Sequence, residues 1–152
     1  MRDLLLLPLL CAAAPAHPPP TGPIDGTWDL TRVFRPGPVS AARAVPLDST
    51  TFLRVTFTTQ EGGWVTAATE RRYLGRPDRA RLQGRAAAEP DHWLMAYQYR
   101  LPSWTRGETV AWVVGDTLRM GGTLIPGADS SEFRRVAPGA PYPAAVTEVV
   151  AP

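Results

Sequence analysis

The stretch Ile24-Asp25-Gly26-Thr27-Trp28-Asp29-Leu30-Thr31 decides how the chain is read. It is the first segment with a strict two-residue period. Trp28 and Leu30 fall on one face, and Thr27, Asp29 and Thr31 on the other, the pattern of a strand with one buried side. Gly26 stands at its start, where a chain entering a tight barrel end needs either a positive φ or room for a close backbone neighbour.

Working outward, the same period returns seven more times. Residues 51–60 set Leu53, Val55 and Phe57 against Arg54, Thr56 and Thr58. After the turn Glu61-Gly62-Gly63, residues 64–74 form a third strand with less clearly separated faces. Gly75-Arg76-Pro77-Asp78 turns again, and Leu82, Gly84 and Ala86 alternate with Arg81, Gln83 and Arg85. The strongest strand carries Trp93, Met95, Tyr97, Tyr99 and Leu101 on one side. Val110, Trp112 and Val114 then share a face, Gly115-Asp116 is a two-residue hairpin signal, and Leu118, Met120, Gly122 and Leu124 form the next inward set. Residues 132–136 are a short last strand. Short turns and no helical period predict an all-β fold, a single eight-stranded antiparallel up-and-down β-barrel, which leaves no sheet edge exposed. A two-sheet sandwich needs longer crossovers than most of these connections provide.

Composition agrees. The 17 prolines and 13 glycines lie between the apolar runs, where turns need them. The chain has 152 residues, one domain's worth, and every one of its 16 basic residues is Arg. The net charge is only +2 and no like-charge run exceeds a pair, which argues against a nucleic-acid partner.

Residues 1–16 read as a signal peptide: Arg2, a short leucine run, and Ala14-Pro15-Ala16 as a cleavage site before His17. This implies an extracytoplasmic location, in the periplasm, the cell envelope or secreted. The leucine run is too short for a permanent membrane span. Cys11 has two readings, a lipidated N-terminus or an incidental residue lost with the leader, and membrane contact follows only from the first. Residues 17–24 form a Pro-rich linker, residues 25–137 the barrel domain, and residues 138–152 a loose Pro/Ala-rich tail. The long segment from Arg35 to Thr51 reads as a loop able to fold over one end.

The run Gly26-Thr27-Trp28, with Phe133-Arg134-Arg135-Val136 at the far end, resembles the lipocalin-like and calycin group, especially its short bacterial members. The resemblance implies that an Arg of the last strand, Arg134 or Arg135, packs across Trp28 and closes the barrel floor. It implies no particular ligand.

Inward-facing Val55, Phe57, Met95, Tyr97, Tyr99, Trp112 and Met120 are the candidate ligand-binding residues, and two outcomes stay open for them. One is an apolar cavity for a small apolar or amphipathic molecule, with Gly84, Ala86 and Gly122 leaving space. The other is a filled core, giving a structural or interaction barrel of the cell envelope. His92 reads as a turn residue, and Glu70 and Glu132 as solvated or paired with Arg71, Arg72 or Arg134. With no cysteine in the folded part and no Ser/His/acid spacing, the expectation is a monomeric, non-enzymatic protein without cofactor or metal.

Overall fold

The computed structural model describes residues 23–35, 43–46, 52–73, 75–100, 103–121, 125, 127–143 and 145–150. The leader with Cys11, most of the linker, most of the Arg35-to-Thr51 segment and Gly122 lie outside the described residues. Eleven strands run in order: β1 (Gly26–Arg35), β2 (Arg43–Pro46), β3 (Phe52–Thr59), β4 (Trp64–Tyr73), β5 (Arg76–Asp78), β6 (Arg81–Ala86), β7 (His92–Tyr99), β8 (Thr105–Val114), β9 (Thr117–Gly121), β10 (Ser130–Val136) and β11 (Ala145–Val150).

Eight of these, β1, β3, β4, β6, β7, β8, β9 and β10, pair antiparallel with their neighbours, and β10 returns to β1 to close the barrel. The predicted architecture is therefore the observed one. Turn chemistry falls where expected: Gly62, Gly63, Gly75 and Gly115 are left-handed, and so is Asp91 in the turn before β7.

β1 organises the closure. Its first half, Gly26 to Asp29, pairs with β3, while Thr27 to Phe34 pairs with β10. The register shifts between Leu30 and Arg32, and the Thr31 hydroxyl donates to the Glu132 carbonyl at 3.1 Å across that irregularity. A bulge of this kind bends the strand. Beyond it, β1 has left β3, and its freed edge takes β11 in parallel, with β2 outside that. Residues 138–152, expected to be loose, thus contribute a strand. Sequence masks it because its partner edge exists only after β1 has bent.

The barrel has two ends. Trp28, Phe57, Val65, Trp93, Leu118 and Phe133 lie toward the floor, near Gly26. Leu53, Arg71, Tyr97, Tyr99 and Ser131 lie toward the mouth. β7 supplies the largest inward side chains, and both neighbouring strands make room for them. Trp93 lies between Ala86 and Ala111, Met95 between Gly84 and Thr109, and Tyr97 between Leu82 and Gly107. A methyl added at Gly107 would sit 2.6 Å from the Tyr97 hydroxyl oxygen, and one at Gly84 would sit 2.4 Å from the Met95 sulfur. Large-beside-small packing of this kind fills a barrel to native density.

That packing overturns the expected facing of β8. Thr109 and Ala111 face inward and are buried, whereas Val110, Trp112 and Val114 point outward. The inward positions of β8 have to be small because Trp93 and Met95 already occupy the space beside them. Trp112 instead stacks on His92 along the outer wall, rings 6.1 Å apart and 13° from parallel. Ala86 keeps the inward phase opposite Trp93, but at the end of β6 it is exposed.

A methyl at Gly84 would also lie 2.2 Å from the Leu94 carbonyl oxygen, which is backbone and cannot turn aside. Gly84→Ala is therefore expected to lower stability by about 1–3 kcal/mol through overpacking, measurable as a reduced urea midpoint with unchanged slope.

Candidate functional site

At the floor, the Trp28 ring is fully buried and its indole N–H donates to the Ile24 carbonyl at 2.8 Å. The Arg135 guanidinium carbon stands 4.2 Å from the centre of that ring. Arg135 also donates to the carbonyls of Asp25 and Pro23 and so ties the chain entering β1 to the last strand. Arg134 is exposed on the other face, so the two candidates of the sequence separate cleanly. Gly26 has φ +119°, and a methyl there would sit 2.9 Å from the Arg135 guanidinium. The positive φ anticipated for this glycine applies, whereas its close neighbour is a side chain and not backbone.

The inward candidates pack as core. A side chain lining a void large enough for water keeps surface accessible to it, yet Val55, Phe57, Met95 and Met120 expose 0–2%. Around these four, the filled outcome holds. Tyr97 and Tyr99 lie higher, stacked 6.0 Å apart. Trp112 leaves the set, since it stands on the outer wall.

The mouth holds a residue that period-two reading passed over. Arg71 falls on the inward face of β4 with Val65, Ala67 and Thr69. Its side chain is fully buried, 4.3 Å above the Tyr99 ring, and it donates to Asp78 at 2.5 Å. Asp78 is delivered by β5, which folds back on β4 through Arg71↔Asp78, Arg72↔Pro77 and Tyr73↔Arg76. The predicted turn 75–78 is thus a tight hairpin that places a counter-ion. On the opposite side, Ile125 and Ala128 from the β9–β10 connection are buried in the same core.

The hairpin has a consequence for the wall. β4 pairs with β6 only from Trp64↔Arg85 to Ala67↔Leu82, and then with β5 from Arg71 onward. Between these ladders, the Thr69 hydroxyl donates to the Ala80 carbonyl. The break leaves a half-open cleft of about 660 Å³ whose lining includes Ala67, Ala80, Tyr99, Arg79, Arg100 and Trp104. Ala67, Ala80 and Tyr99 bring the barrel core to its inner side, and Trp104 stands 59% exposed at its rim. Of the sequence candidates, Tyr99 alone lines this cleft. A second groove of about 560 Å³ runs along the outer wall beneath Trp64, Leu94 and Val110.

His92 bonds the Pro90 carbonyl at 2.7 Å through Nδ1, at the turn where the sequence put it. Glu132 pairs with Arg32 at 3.7 Å and Arg119 at 3.4 Å rather than with Arg134. Among the described residues, no three His, Cys, Asp or Glu side chains gather as a metal site. Comparison with protein-family models finds no match, and comparison with curated proteins finds none either.

Proposed function

We propose that this chain is an exported, lipocalin-like binding protein that takes one small amphipathic molecule without chemical conversion. Its site is the lateral cleft between β4 and β6, not the barrel interior. The carrying observation is the interrupted β4–β6 ladder, which puts the buried Tyr99 ring and the exposed Trp104 on one cleft of about 660 Å³. That volume lies in the range of small-molecule sites, and an exposed indole beside small alanines offers apolar surface for a ligand to cover.

Purification from an extracytoplasmic extract tests the reading. The expected result is a mature mass beginning at His17, a co-purifying molecule in solvent extracts, and displacement of a hydrophobic dye by that molecule. A full-length cytosolic chain with no bound molecule and no dye uptake would overturn it.

The packed interior around Met95 and Phe57 favours a second reading, a structural barrel of the envelope that binds no small molecule. The same dye experiment separates the two.

A further inference from the structure

We infer that the molecule held in the lateral cleft is a single-chain amphiphile with an anionic head, and that Arg79, Arg81 and Arg100 receive the head. This rests on the cleft's being the binding site proposed above, and adds the charge of what it takes.

The cleft has an apolar part and a cationic part. Ala67, Ala68 and Ala80 are small enough to leave room for a methylene chain, and Tyr99 gives that part an aromatic wall. Around it stand three exposed guanidinium groups: Arg79 from the segment between β5 and β6, Arg81 at the head of β6, and Arg100 just past β7. Arg81 and Gln98 are direct cross-strand partners, so Arg81 and Arg100 approach the cleft from neighbouring strands.

Among the described residues one carboxylate lines the same cleft, that of Asp78; Arg71 engages it at 2.5 Å, and the Arg100 backbone N–H donates to it at 3.4 Å. Among the described residues, Arg79, Arg81 and Arg100 have no carboxylate partner of their own. Arg100 lies 5.7 Å from the centre of the Trp104 ring, which holds a cation and an exposed apolar surface together at the rim. Three guanidinium groups lining one cleft, without a carboxylate partner among the described residues, favour a planar or tetrahedral oxyanion, which each can grip with paired N–H donors. A chain reaching from that head along Ala68 and Trp104 would cover apolar surface that is otherwise wet.

The test is calorimetric titration of the purified full chain with monomeric decanoate, decanol and acetate. Decanoate is expected to bind about tenfold more tightly than decanol, the scale of one charge-assisted hydrogen bond, and acetate to show no saturable binding. In the triple variant Arg79→Gln, Arg81→Gln and Arg100→Gln, decanoate affinity is expected to fall to that of decanol. These three side chains are exposed, so folding should be unaffected, which circular dichroism checks. Trp104→Ala should weaken both long-chain ligands. If decanol binds as well as decanoate, the anionic head is refuted while the binding site stands. A decanoate preference that survives in the triple variant refutes the assignment to these arginines. If neither long-chain ligand binds, the proposed function and this inference fall together.

Discussion

Replacing Trp28 with Ala is expected to lower the unfolding free energy by about 3–5 kcal/mol, the range for large aromatic truncations in a packed core. Three losses combine at this position. The fully buried indole leaves a cavity into which its neighbours relax only in part. The Ile24 carbonyl loses the indole N–H that now reaches it at 2.8 Å. Arg135 loses the ring face 4.2 Å from its guanidinium carbon, a contact worth on the order of 1–2 kcal/mol when partly desolvated. Trp28→Phe should cost clearly less, because the core stays largely filled and only the Ile24 partner is lost. Thermal and urea unfolding monitored by far-ultraviolet circular dichroism measure both. An unchanged melting temperature in Trp28→Ala would refute the floor assignment. Since Trp28 is at the floor and the lateral cleft opens toward the mouth, any affinity measured at the cleft should be the same in both variants.

Trp28 also shows why part of the fold was legible. Its period-two neighbours and Gly26 carry a local signal, and the Arg two positions after an inward Phe133 carries the other half. Neither needs tertiary information to be found. The choice between Arg134 and Arg135 did need it, because the strand's phase at its end is set by its pairing with β1. β8 was misread for a related reason. Its larger apolar side chains face outward, where hydrophobicity alone would not put them, because the inward space belongs to Trp93 and Met95 of β7. Facing is decided by the volume the neighbouring strand leaves, and a single strand's pattern does not contain that volume. Arg71 was missed because an arginine on a strand reads as outward. Only the returning β5 hairpin supplies the Asp78 that makes its burial tolerable.

The outer wall carries the second large effect. Asp29 and Arg54 lie on the outward faces of β1 and β3 as direct cross-strand partners, yet their side chains are only 3% and 8% exposed. They are covered by the segment after β10. Arg54 holds both Asp29 oxygens, at 2.5 and 2.7 Å, and also donates to the Ala140 carbonyl at 2.7 Å. Its guanidinium carbon is 4.4 Å from the centre of the Tyr142 ring. A polar pair read from sequence as the wet side of two strands is therefore the clasp that seats the chain leading to β11.

Arg54→Ala is expected to destabilise the fold by about 3–5 kcal/mol, because it leaves the Asp29 carboxylate buried without its partner. The double variant Asp29→Ala with Arg54→Ala should cost less than the sum of the single variants, since no lone charge then remains. The hydrogen bond to Asp29 chiefly, with the charges of Asp29 and Glu70 adding and burial opposing, raises the Arg54 pKa above its ordinary value. A raised folded-state value means the contribution is complete below the unfolded guanidinium pKa and is lost only as pH climbs through the folded one. Moderately alkaline buffer should therefore leave the clasp shut. Hydrogen exchange reports it directly: in Arg54→Ala, the amides of β11 should lose protection before those of β7, which sit within the barrel wall. Equal protection of β11 in the variant and the parent would show that the parallel pairing of Arg32 to Arg35 with Thr147 to Val150 holds that strand without help from Arg54.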